Sequence, residues 1–234
     1  MRPLSGKSVV VIGASGGIGG ATARLLAERQ ADVHALARRT CTGPFAFHRV
    51  DISDRDAAAR VMREVGESSG IDAVVAAAAQ QLTARRLAEL TPDSWDQLIS
   101  VNLSGTFYCI HAALPYLRRA RGDVVLISSV SALWPDWTGP AYQASKAGLM
   151  ALARAANFEE RGQGVRFSTV MPGLVDTPFI DKRPERVPAE ILAKALRPEA
   201  VAEICVFLLG LDRGVHIPEL TILPNDIQAL GASS

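Results

Sequence analysis

Cysteine is scarce and unpatterned: Cys41, Cys109 and Cys205 are odd in number, far apart and free of any Cys-x-x-Cys or Cys/His ligand spacing. That arithmetic gives no disulfide framework and no metal site, and the three read as reduced structural thiols. An excess of either charge is also missing. With a formal net charge of +1 the chain carries no electrostatic footprint for nucleic acid or an anionic membrane surface. No apolar run approaches the ~20 residues of a membrane span, and residues 1–7 lead straight into an apolar strand without a signal-peptide core. The expectation is a soluble, cytoplasmic protein with no nucleic-acid or membrane partner. Repeats at solenoid periods and low-complexity linkers are absent too, so nothing marks a domain boundary. A chain of 234 residues that is 48% hydrophobic can build one substantial core, and it reads as a single domain over 1–234.

What is present is alternation. Short apolar, β-branched runs take turns with longer Ala/Leu-rich stretches, the pattern of βαβ units around a parallel sheet buried on both faces. Strands are predicted over 9–12, 32–37, 45–50, 73–78, 124–128, 165–170 and 219–223. Helices are predicted over 21–29, 54–67, 94–117 and 140–160, with helical segments up to 211 and an irregular loop over about 174–195. The fold class is therefore α/β, a doubly wound parallel sheet of about seven strands with helices on both faces.

Two stretches carry chemistry. Gly13-Ala14-Ser15-Gly16-Gly17-Ile18-Gly19 joins the first strand to the first helix, where missing Cβ atoms let a backbone approach a phosphate and the helix N-terminus supplies N–H groups. No Lys-Ser/Thr follows, so this is not a P-loop. In the second stretch, Tyr142 and Lys146 stand four residues apart on a helix and share a face. An ammonium beside a phenol favours the phenolate and is expected to draw its pKa down from about 10.

Together these motifs resemble the short-chain dehydrogenase/reductase family, and the resemblance spans nearly the whole chain. Gly13-x-x-x-Gly17-x-Gly19 is similar to that family's cofactor loop; Ser129, then Tyr142 thirteen residues on, then Lys146 fit its catalytic spacing. Asn102, inside the long helix, matches its fourth catalytic position, and Pro172-Gly173, Val175 and Thr177 its segment beside the nicotinamide. The resemblance implies a single-domain Rossmann fold, a nicotinamide cofactor, and a homo-dimer or homo-tetramer assembled through the helices that carry Asn102 and Tyr142. It also implies hydride transfer between that cofactor and a small-molecule ketone, aldehyde or alcohol. Tyr142 would be general acid or base, Lys146 would stabilise the phenolate and hold the nicotinamide ribose, and Ser129 would bind the substrate oxygen. On composition Ser128 or Ser131 serve as well as Ser129; the family spacing selects Ser129. Asn102, a poor helix former, would hold a relay water at a kink. The rival reading is a silent dinucleotide-binding protein of the same fold.

Cofactor choice is expected near the end of the second strand. Ala37 stands where NAD-preferring members carry an acid, and Arg38 matches the basic residue of NADP-preferring ones, with Arg39 beside it, so NADP(H) is expected. Asp51 either meets the adenine or caps the turn at Ser53 and Asp54; Ile52 and Ala78 complete the expected cofactor contacts. One departure is plain: Ala76-Ala77-Ala78-Ala79 replaces the family's Asn-Asn-Ala-Gly. A substrate pocket is expected from Ser131, Trp134, Trp137 and Phe179, and Lys182, Arg183 and Arg186 either bind a substrate anion or are solvated.

Overall fold

The computed structural model describes residues 1–184 and 186–228. In chain order the elements are β1 (Ser8–Ile12), α1 (Gly17–Glu28), β2 (Asp32–Ala37), β3 (Ala46–Arg49), α2 (Arg55–Ser68), β4 (Ala73–Ala76) and α3 (Pro92–Ile99). Then follow α4 (Gly105–Ala120), β5 (Asp123–Ile127), α5 (Pro140–Glu160), β6 (Arg166–Pro172), α6 (Ala189–Leu192), α7 (Pro198–Leu209) and β7 (Glu219–Ile222). All seven strands pair in parallel in the order β3-β2-β1-β4-β5-β6-β7, so the direction of winding reverses between β1 and β4. A crevice opens at such a reversal, outside the carboxyl ends of the strands. This is the Rossmann-type α/β fold expected.

Strand periodicity explains why the strand runs are apolar throughout instead of alternating. In β1, Val10 and Ile12 face a core shared with Val61 and Met62 of α2 and Cys109 and Leu117 of α4. Val9 and Val11 face the opposite core, built with Leu26 of α1 and Val201 and Cys205 of α7. Asp54 starts α2 by accepting from the N–H groups of Asp56 and Ala57, both at 3.0 Å.

Element boundaries differ from the expectation where the site lies. The single helix expected over 94–117 is α3 and α4 joined by a widened π-helical turn, Ser100–Ser104, with Asn102 at its centre. Helix α1 starts at Gly17, inside the glycine loop, and β4 stops at Ala76, two residues early. The loop expected over 174–195 is anchored at its base by Asp176 N–H to Leu196 O and Leu196 N–H to Leu174 O, and contains the single turn α6; Glu185 lies outside the described residues, as do 229–234 of the expected domain. None of the described helices is long and apolar enough to cross a membrane.

The reversal point is held by a close backbone approach. Gly13 has φ +86°, and a Cβ there would stand 2.6 Å from both the backbone N and the Cα of Ala78. Backbone on both sides cannot yield. Gly13→Ala is expected to cost about 2–4 kcal/mol and to lower the thermal midpoint by roughly 5–15 °C, read by calorimetry; an unaltered midpoint would show that the β4 loop is free to retreat.

Candidate active site

One crevice of about 660 Å³ runs along the carboxyl ends of the strands. Its floor at one end is the glycine loop, with Gly13, Ser15, Gly16, Gly17, Ile18 and Gly19 all on its wall. Helix α1 begins there without a side-chain cap and without an acidic residue in its first turn, so its leading N–H groups and positive dipole end face the crevice. That uncapped terminus fits a dinucleotide pyrophosphate, and the crevice wall includes Arg38 and Arg39 as well as Tyr142.

At the β2 end, Arg38 stands 3.6 Å from Asp51. Burial raises the Asp51 pKa, but the side-chain and backbone hydrogen bonds from Ser53, together with Arg38, outweigh it and hold the carboxyl below its ordinary value. Asp51 thus pins the turn and lines the crevice together with Ile52. Ala77, Ala78 and Ala79 line it too, and with no polar side chain at those positions the loop is held by its backbone, Ala77 N–H donating to Ile12 O at 2.9 Å.

The other end is built by β5, α5 and the segment after β6. Lys146 is 2% exposed; its Nζ donates to Ile127 O at 2.8 Å and lies 5.7 Å from the centre of the Tyr142 ring. Ser128 Oγ donates to Lys146 O at 2.8 Å, fastening the end of β5 to the middle of α5. Ser129 Oγ donates to Ser131 Oγ at 3.0 Å, and Ser131 in turn bonds the Asp136 carboxylate. Asn102 does not reach the crevice wall. Fully buried, it accepts from Gln80 N–H at 2.6 Å and donates to Gln80 O at 3.0 Å and to Ser145 Oγ at 3.2 Å. A side chain that clasps a loop through both its amide atoms accounts for the π-helical turn beneath it.

Electrostatics depart from the sequence expectation. Burial pushes the Tyr142 phenol well above its usual range; Asp136 adds to this, while Ser129, Arg85 and Arg183 oppose it. Lys146 does not draw the phenol down. Burial acts on the amine as well, lowering it from 10.5 to about 8. Both groups lose water, and that cost outweighs their mutual attraction.

The substrate end also needs correction. Ser131 and Phe179 line the crevice, and the Phe179 ring lies 5.9 Å from that of Tyr142. Trp134 and Trp137 are not on its wall: Trp137 is 84% exposed, and the Trp134 Nε1 is buried without a partner among the described residues. The loop points its acid inward instead, Asp136 accepting from Ser131, Thr138 and Gln143. Sequence reasoning also missed Gln81, Arg85, Asp136 and Gln228, all of which line the crevice. Gln228 Oε1 accepts from Leu174 N–H at 2.7 Å, beside Pro172, Gly173, Val175 and Thr177. None of the four lies in a recognisable motif; a buried arginine such as Arg85 leaves no local signal in sequence.

Strand order, glycine loop and a Ser/Tyr/Lys cluster at one end of the crevice define a dinucleotide-binding oxidoreductase of the short-chain type. The short chain dehydrogenase family model matches residues 7–187, and the chain belongs to that family, whose members bind a nicotinamide dinucleotide. It is 32% identical to meso-2,3-butanediol dehydrogenase of Serratia marcescens, over 91% of this chain and 92% of that one. It is 35% identical to cis-4-hydroxycyclohexanecarboxylate dehydrogenase of Sinomonas cyclohexanicum, over 85% and 87%. An alcohol dehydrogenase structure from the archaeon Thermococcus sibiricus, complexed with 5-hydroxy-NADP, superposes with a TM-score of 0.83 at 28% identity, covering 95% of this chain and 98% of that one. This protein is an oxidoreductase of that family, acting between carbonyl and alcohol.

The buried amine has a measurable signature. Between about pH 8 and 10.5 the unfolded chain keeps the Lys146 proton while the folded chain has released it, so this residue makes stability rise with pH across that window and costs stability below it. In urea titrations the advantage of wild type over Lys146→Met is expected to grow by about 1–3 kcal/mol from pH 7 to 10. A constant difference would mean that the ammonium is hydrated.

Proposed function

We propose that the protein is an NADPH-dependent carbonyl reductase in which Tyr142 delivers the proton. The convergence of Ser129, Tyr142 and Lys146 on the end of the crevice opposite Arg38 carries this reading. When bound, the cofactor supplies a hydride. Tyr142 donates its phenolic proton to the substrate oxygen, which the Ser129 hydroxyl steadies by hydrogen bonding. The neutral phenol is the form that reduction requires. Lys146, as an ammonium, stabilises the phenolate left behind. Asn102 acts through Gln80, as a positioning residue that fixes the loop after β4 against α5.

NADP(H) is supported by Arg38 and Arg39 on the crevice wall and by Ala37 in place of an acid. A guanidinium suits a 2′-phosphate, and the 5-hydroxy-NADP named in the archaeal relative's complex is consistent with it. The names of the diol and hydroxy-acid relatives support a small alcohol or carbonyl as substrate. The protein works in the cytoplasm as a homo-dimer or homo-tetramer, for which Phe107 and Phe158, 44% and 71% exposed on α4 and α5, offer apolar contacts.

Two measurements test the reading. Tyr142→Phe is expected to lower kcat for NADPH oxidation with a ketone panel by about 10²–10⁴; retention of activity overturns the proton-donor role. Arg38→Ala is expected to cut kcat/KM for NADPH at least about tenfold and to spare NADH. An unchanged cofactor ratio removes the 2′-phosphate assignment.

A further inference from the structure

Two arginines, Arg85 and Arg183, line the crevice with Tyr142 and the Asp136 carboxylate. Arg85, in the loop after β4, is 8% exposed. Its Nε donates to Leu82 O and its Nη2 to Lys182 O, both at 2.9 Å. Both partners are neutral carbonyls, and Arg85 has no carboxylate in ion-pair contact among the described residues. The Arg183 guanidinium, half-buried on the facing loop, makes no side-chain hydrogen bond or ion pair among the described residues. Both groups feel the Tyr142 hydroxyl and Asp136, and burial is the main cause that lowers the pKa of each. The Asp136 oxygens are already taken by Ser131, Thr138 and Gln143. The buried Arg85 and the half-buried Arg183 therefore stand at the crevice with no bonded carboxylate among the described residues.

The fold holds the pair in place. Gly139 has φ +90°, and a Cβ there would strike the Arg85 carbonyl, so the turn that starts α5 is shaped around Arg85. Through Lys182 O, Arg85 also ties the loop after β4 to the loop after β6. The same end of the crevice has an apolar part: the Phe179 ring lies 5.9 Å from that of Tyr142, and Leu82 packs against the cluster of Tyr142, Leu98 and Ala141.

We infer that Arg85 and Arg183 form a carboxylate subsite, and that the substrate is a small oxo-acid whose carboxylate lies across a short apolar span from the carbonyl that Tyr142 protonates. Guanidinium groups without a bonded carboxylate match an anion, and the unbonded N–H groups of the planar fork match a carboxylate. Apolar walls suit the carbons that separate the two ends. The inference rests on the proposed reductase reading, in that it names the substrate of the same site. It differs from the alternative in which Arg85 is only a brace between loops, because a brace has no preference among ligands.

The experiment compares levulinate and 3-oxocyclohexanecarboxylate, each beside its methyl ester, in NADPH oxidation by wild type, Arg183→Gln, Arg85→Gln and Arg183→Lys. Wild type is expected to favour the acids over the esters at least tenfold in kcat/KM, mainly through KM. Arg183→Gln and Arg85→Gln are expected to lower that acid-to-ester ratio at least tenfold, and Arg183→Lys to recover part of it. Equal turnover of acid and ester by wild type, or a parallel loss on both in the glutamine variants, overturns the subsite. Calorimetric binding of cyclohexanecarboxylate, which has no carbonyl to reduce, separates the two proposals. Binding to wild type that Arg183→Gln weakens supports the subsite even if no ketone is reduced, and no binding to wild type counts against it even if ketones are.

Discussion

An ammonium removed from water and held by a single backbone carbonyl is the constraint around which this site is arranged. Burying Lys146 is costly, and the cost is tolerated because Nζ finds Ile127 O and because Ser128 fastens the lysine's own carbonyl to the end of β5. With its middle fixed in this way, α5 has one orientation against the sheet. Tyr142, one turn earlier, is then bound to face the crevice, and Phe179 closes over its ring. The same desolvation that makes the lysine costly raises the phenol's pKa, so one environment shifts both groups towards their neutral forms.

A second constraint acts from below. The loop after β4 begins with alanines, and the connection is made by Asn102 from the helix side, through both atoms of its amide and the backbone of Gln80. The helix widens by one π-turn to let that side chain turn aside from its own backbone. The loop so anchored delivers Gln81 and Arg85 to the substrate end, where they meet Asp136 and Arg183 from two other loops. Charged groups from three separate segments therefore line the same crevice as the phenol, which none of those segments could achieve alone.

Much of the fold was legible because its signals are local. Parallel strands buried on both faces must be largely apolar, and the runs 9–12, 73–76 and 124–127 are so throughout; the glycine loop and the Tyr142/Lys146 spacing are equally local. Boundaries were harder. The break at Ser100–Ser104 depends on a hydrogen bond to Gln80, twenty-two positions away, and no helix periodicity could register it. Trp134 and Trp137 illustrate the opposite error: large aromatics near a site suggest a wall, yet the turn that places Asp136 inward sends Trp137 out to solvent.

The amino-acid sequence by itself determined the class of fold, the glycine loop and the spacing of Ser129, Tyr142 and Lys146, since each is written in neighbouring residues. Tertiary structure alone decided the upward shift of the Tyr142 phenol, the clasp made by Asn102 and the presence of Arg85 and Arg183 on one crevice wall. Those properties depend on how much water is excluded and which distant groups are brought face to face, and burial is a property of the packed chain, not of any stretch of it.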